Sequence, residues 1–213
     1  MRVSLGLHAV LTGDIVNSTL LDPVAGKGLQ KALKGALTSY LHEFYRGDSF
    51  QVYMKDAAGS LQLALLCRAL AISVTKDEDE LSVFDIRISV GIGRVLLPVR
   101  TPGTAKGEAF LLSGRKFDEI QQTGRRLSIA VGQAIADIAL QTMADHLDAI
   151  YSGMTAKQAE VIVLLLKGFT QQEAVMHLSK SKSTISQLVT AARWAEVERI
   201  VEQFESLINL LKK

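Results

Sequence analysis

A chain of 213 residues that is 48% hydrophobic, with 24 Lys and Arg against 22 Asp and Glu, has the composition of a folded protein of one or two domains, not of a disordered segment. Its single cysteine, Cys67, excludes an intrachain disulfide framework and suits a reducing cytoplasm. No apolar run reaches the ~20 residues that a membrane-crossing helix needs, so no membrane partner is expected. His8, His42, His146 and His177 are scattered without ligand spacing, so neither zinc nor haem is expected.

The start, Met1-Arg2 and then apolar residues, mimics a signal peptide but lacks a small-residue cleavage site and runs into Asp14. The continuous apolar run over 5–11 instead predicts a first strand buried on both faces. Leu29, Leu33, Leu37 and Leu41 then recur every fourth residue, the stripe of an amphipathic helix. Phe44 and Tyr45 read as the end of a strand. After Gly47-Asp48, the residues Phe50, Val52 and Met54 alternate with Gln51, Tyr53 and Lys55, so a tight hairpin is predicted. A second helix over 61–73 leads to the acidic run Asp77-Glu78-Asp79-Glu80. Ile86, Ile88, Val90 and Ile92 alternate with Asp85, Arg87, Ser89 and Gly91 as a further strand. The order β-α-β-β-α-β predicts an α+β fold with a ferredoxin-like sheet. A helix near 111–123, a short strand over 127–131 and a helix to Ile150 complete the first part.

This order brings two carboxylates toward one edge. Asp14 is expected just past the first strand and Asp48 at the tip of the neighbouring hairpin. Each alone reads better as a turn residue. Two carboxylates held together repel unless one is protonated or a cation lies between them. A hard dication bound by oxygen, with phosphate completing its shell, fits that pair.

The stretches TGDIVNST, RGDSFQ, RISVGIG and GEAFLLSGR resemble, in order, the landmarks of class III nucleotide cyclases. They look closer still to the SatD family, bacterial proteins related to that palm-like domain, over about residues 5–125. The resemblance implies a metal set of Asp14, Ile15 and Asp48 holding Mg2+ or Mn2+ with a nucleotide. It also implies a phosphate-binding backbone at Asn17 and Ser18, and Arg115 as the one catalytic candidate. Leu111 stands where the family has a transition-state asparagine, and Phe44 where it has a base-reading lysine. Thr104 stands at a position that helps choose the base. Loss of a preorganised donor costs ~10²–10³ in rate. The implied domain, over 1–150, is a degenerate one that senses metal or nucleotide; an active nucleotidyl transferase or cyclase is the alternative.

Residues 1–150 carry sixteen basic and sixteen acidic residues, whereas 151–213 carry eight and six, so the net charge of +2 lies wholly in the second part. Tyr151-Ser152-Gly153 is the joint, and 154–213 the second domain. Thr155 with Gln158, and Thr170 with Glu173, each have capping-box spacing, and Gly168 ends the helix between them. A helix over 170–178, the turn Ser179-Lys180-Ser181 and a helix from Lys182 predict a helix-turn-helix. The run TQQEAVMHLSKSKSTISQL resembles the DNA-binding helices of sigma-factor region 4, with Val175, Ser179 and Lys180 departing from the usual residues. Ile185, Leu188, Val189 and Ala192 form the buried stripe. Lys182, Ser183, Ser186, Gln187 and Thr190 point outward with Arg193 at the end, a face suited to double-stranded DNA. Val197, Ile200, Phe204, Leu207 and Leu211 in the last helix suit either packing within the module or a homodimer. Together these features predict a bacterial cytoplasmic regulator of transcription.

Overall fold

Alternation along one strand organises the protein. The computed structural model describes residues 2–45, 47–75 and 81–212, and the acidic run at 77–80 lies outside them. Strand β1 (Arg2–Val3) is short, and β2 (His8–Val16) is the central strand. Ala9, Leu11 and Ile15 of β2 face the main core, while Val10 faces a smaller cluster on the other side. The strand predicted over 5–11 therefore starts later and runs further. Thr12, Gly13 and Asp14 read as a turn, but they keep the alternation. Gly13 lies over Phe50, whose ring would sit 2.8 Å from an added Cβ. Asp14 is thus inside the strand and not past its end.

Helix α1 (Pro23–Leu37) begins where the Asp22 carboxylate accepts from the Val24 and Ala25 amides, and it buries Leu29, Leu33 and Leu37. It stops there. Leu41, expected on the helical stripe, opens β3 (Leu41–Tyr45) and is 42% exposed. The Tyr40 amide donates to the Leu37 carbonyl in the intervening turn. Strand β4 (Ser49–Met54), helix α2 (Ser60–Ile72) and strand β5 (Asp85–Gly93) follow, giving the order β-α-β-β-α-β from β2 to β5. A two-stranded ribbon pairs β1 with β6 (Leu96–Leu97). After it come α3 (Glu108–Thr123), β7 (Leu127–Ala130) and α4 (Ala134–Ser152). The five-stranded sheet runs β3-β4-β2-β5-β7, antiparallel except for the parallel pair β5–β7. The protein is therefore mixed α and β with a mixed sheet.

Helix α3 covers the sheet face opposite the main core, and small residues let it approach. A Cβ on Gly91 would lie 2.3 Å from both the Ala109 carbonyl oxygen and the Ser113 amide nitrogen. The Ser89 hydroxyl donates to the Ser113 carbonyl at 2.8 Å, and the Thr12 and Ser113 hydroxyls lie 2.7 Å apart.

Helices α5 (Ala156–Leu166), α6 (Gln171–Leu178), α7 (Lys182–Ala191) and α8 (Trp194–Leu211) form the C-terminal part. Thr155 and Thr170 make full capping boxes, and Ser181 caps α7. Helix α2 is buried almost all round because the sheet lies on one side and α5 on the other. The apolar core consequently runs unbroken from the sheet through α2 and α5 to Val197, Ile200, Phe204 and Ile208 of α8. Gln62 of α2 donates to the Leu166 carbonyl at 2.7 Å, and Lys212 pairs with Asp56 at 2.7 Å across the same join. Among the described residues no helix is long and apolar enough to cross a membrane.

One charge lies inside this core. The Arg68 side chain on α2 is fully buried and donates to both oxygens of Asp85, at 3.0 and 2.7 Å, and to Asp148. Its guanidinium also lies 4.8 Å from the centre of the Tyr151 ring. Burial works against its charge, but Asp85 and Asp148 outweigh it and hold the pKa above its usual value. The other Asp148 oxygen accepts from the Arg126 and Leu127 amides, fixing the start of β7.

Candidate functional site

Antiparallel register sets Asp14 opposite Ser49 of β4 and Arg87 of β5. Arg87 donates to Asp14 Oδ2 at 3.0 Å, and both side chains are only about one-fifth exposed. Asp14 Oδ1 and Arg87 Nε are buried without hydrogen-bond partners among the described residues. Burial pushes the Asp14 carboxyl above its usual range; Arg87 opposes this, the Asp48 charge adds to it, and Arg126 opposes it further. Asp48 is the chain neighbour of Ser49, the cross-strand partner of Asp14.

Asp48 sits in the β3–β4 turn after Gly47, whose φ of 89° favours glycine. Its carbonyl accepts from the Ile15 amide at 3.0 Å, which fastens the turn to β2. Its carboxylate accepts from the Ser18 hydroxyl at 2.9 Å. Ser18 follows Asn17, which is left-handed at φ 58°, a conformation asparagine tolerates better than most side chains. The Asn17 amide group donates to the Val83 carbonyl at 2.7 Å. One sheet edge thus gathers Asp14, Ile15, Asn17, Ser18 and Asp48.

Arg115 lies on α3, two residues after Ser113, whose hydroxyl is 2.7 Å from that of Thr12 on β2. It is exposed, one turn after Leu111, itself 59% exposed, and the charges acting on Asp14 are Arg87, Asp48 and Arg126. Phe44 packs on Phe50 with ring centres 5.6 Å apart, and Lys34 reaches to 5.5 Å from the Phe44 ring. Among the described residues no three His, Cys, Asp or Glu side chains form a metal cage. The donors nonetheless fit a hard dication that takes further oxygens from water or phosphate. Asp14 Oδ1 is an acceptor with no donor among the described residues, which a cation would satisfy, while Arg87 occupies the other oxygen.

In the C-terminal part, α6 ends at Ser179 in the left-handed conformation, φ 51° and ψ 36°, and α7 starts at Lys182. Ile185 and Val189 point into the core. Lys182, Ser183, Ser186, Gln187 and Thr190 are all exposed. Arg193 is engaged elsewhere: left-handed at φ 55°, it precedes α8 and donates to both Glu196 oxygens at 2.7 and 2.6 Å. Glu196 also meets His146 at 3.1 Å.

No family model and no curated protein matches the chain. Solved structures of nucleotide cyclase domains do. A bacterial light-regulated adenylyl cyclase is 11% identical, with 61% of this chain and 77% of that one covered and a TM-score of 0.44. The GGEEF domain of a diguanylate cyclase from Vibrio cholerae is 12% identical, with 60% and 85% covered and a TM-score of 0.41. A further structure of a bacterial light-regulated adenylyl cyclase is 12% identical, covers 61% and 44%, and has a TM-score of 0.43.

Three arginines were missed by the sequence reading. Arg87 occupies an outward position in an alternating strand, which is a visible signal, but its partner depends on register. Arg126 precedes a short strand and gives no local sign. Arg68 did give one: a lone charge in the apolar run LQLALLCRALAI must be paired if that helix is buried.

Proposed function

We propose that this protein is a DNA-binding regulator of transcription in the bacterial cytoplasm, with a cyclase-like, ferredoxin-like sheet domain that senses a divalent cation and a nucleotide. The observation that carries this reading is the α6–turn–α7 unit. Two helices meet through a left-handed Ser179, and the second exposes Lys182, Ser183, Ser186, Gln187 and Thr190 over a buried Ile185 and Val189. Read as a helix-turn-helix, α7 offers hydroxyl and amide groups to base edges and Lys182 to phosphate. Arg193 is paired with Glu196 through Nε and Nη2, which leaves Nη1 for phosphate.

Binding of the full chain to a genomic DNA library, followed across salt concentrations, tests this. Lys182→Ala should weaken binding and reduce the salt slope by about one unit for its lost phosphate contact. Ser186→Ala and Gln187→Ala should shift sequence preference instead. Absence of salt-dependent binding to any DNA sinks the reading.

At the sheet edge, Asp14, Asp48 and the Ile15 backbone would hold the cation, and the backbone at Asn17 and Ser18 would meet phosphate. The cation supplies the positive charge that lets two carboxylates and a phosphate share one place. The orphaned Asp14 oxygen supports this. The exposed aliphatic Leu111 supports sensing over turnover. With Mn2+ and ATP or GTP at a hundred times the dissociation constant, the protein should gain about 2.7 kcal/mol of stability. The double change Asp14→Asn with Asp48→Asn should remove that gain and keep the fold. A gain undiminished in the double variant returns both residues to structural roles.

A further inference from the structure

The opposite end of β2 holds a second feature that the proposed function does not use. From Asp14 back to His8 is six residues of strand, about 20 Å. There the β1–β6 ribbon, the end of β4 and the segment before β3 line an open cavity of about 1340 Å³. His8 and Tyr53 line it as stacked rings, with centres 5.6 Å apart and planes 18° from parallel. Phe110 stacks behind Tyr53 at 6.3 Å and 14°. The Tyr53 hydroxyl lies 2.9 Å from His8 Nδ1. Burial, with help from the Lys55 charge, holds His8 below its usual pKa, so the ring is neutral at neutral pH. When the hydroxyl donates to Nδ1, the imidazole proton sits on Nε2.

The remaining lining has two characters. Leu97, Pro98 and Val99 give an apolar wall. Arg2 and Lys55 are exposed cations at the cavity, and neither has an acidic partner among the described residues. Asp56 also lines the cavity, and its Oδ1 is paired with Lys212, so its charge is offset there. An apolar and aromatic surface beside two unneutralised cations is complementary to a small amphipathic anion.

We propose that this cavity binds a small organic anion, its carboxylate or phosphate held by Arg2 and Lys55 and its apolar body set against Tyr53 and the Leu97, Pro98 and Val99 wall. The cavity belongs to the same sheet as Asp14 and Asp48 but shares no residue with that edge, so the inference stands independently of the cation reading.

Calorimetric titration of the full chain with benzoate, phenyl phosphate and neutral benzamide tests this. A chelator is kept present, so that no divalent cation carries phosphate to the Asp14 edge. At least one anion should bind saturably, with benzamide about tenfold weaker or more, since it lacks the charge that the cations pair with. A preference for benzoate assigns the natural ligand to carboxylates; a preference for phenyl phosphate assigns it to phosphates. Lys55→Glu, a change at an exposed and unpaired position, should weaken the preferred anion by about tenfold or more and leave benzamide binding and the melting temperature unchanged. Failure of both anions to saturate, or anion binding indifferent to Lys55→Glu, overturns the proposal.

Discussion

Replacing Arg68 with alanine should lower the unfolding free energy by about 3–5 kcal/mol, the usual cost of removing one partner from a buried ion pair. The side chain has no exposed surface and meets Asp85 and Asp148, themselves only 13% and 17% exposed. Without it, two carboxylates face each other inside low-dielectric surroundings, and a cavity opens under Tyr151. Arg68→Met keeps most of the volume and should lose nearly as much, because the unpaired charge dominates. Adding Asp85→Asn and Asp148→Asn to Arg68→Met should restore a large part of the loss. Equilibrium denaturation measures all three, and a loss below about 1 kcal/mol for Arg68→Ala would contradict the buried pair. The effect should spread. Asp85 opens β5 two residues before Arg87, and Asp148 holds the Arg126 amide. Arg68 thereby positions both cations that act on Asp14.

Gly91→Ala should destabilise the protein by about 3 kcal/mol, at the upper end of ordinary overpacking. The new Cβ would meet backbone atoms of α3 at 2.3 Å, and backbone cannot rotate away as a side chain can. Helix α3 would have to lift from β5, parting Ser113 from Ser89 and Thr12. Gly114→Ala is the matched control. Gly114 lies on the same helix with nothing within 4 Å of an added Cβ, so alanine there should stabilise by about 0.5–1 kcal/mol through helix propensity. Opposite signs for one chemical change, at a packed glycine of β5 and an open one of α3, would point to contact distance as the cause. Equal shifts in melting temperature would refute it.

Local patterns made the order of strands and helices readable from the sequence. The alternation at Ile86, Ile88, Val90 and Ile92 and the capping boxes at Thr155 and Thr170 need only neighbouring residues to be seen. Element ends were harder. Gly13 and Asp14 have turn chemistry, yet Phe50 of the next strand requires a missing side chain at 13, so β2 continues. Leu41 kept the helical spacing by coincidence and belongs to β3. The two Asp motifs were visible at the candidate site, but the pairing of Asp14 with Arg87 was not, because it depends on register between strands more than seventy residues apart. The engagement of Arg193 by Glu196 was likewise hidden. Arg193 is itself the left-handed residue before α8, three residues from Glu196.

The all-round burial of α2 has a consequence for how this chain can evolve. A portable module can be cut from one gene and pasted into another because its surface is finished on every side. Here α2 and α5 cover much of each other's apolar surface, with α8 also reaching α2. Severed at the joint near Gly153, each part would show water a broad apolar wall, a liability for solubility in both fragments. The helices after that joint are therefore inherited with their sheet. Substitutions along the α2–α5 seam should arise in compensating pairs, because close-packed interiors feel a change of even one methylene group.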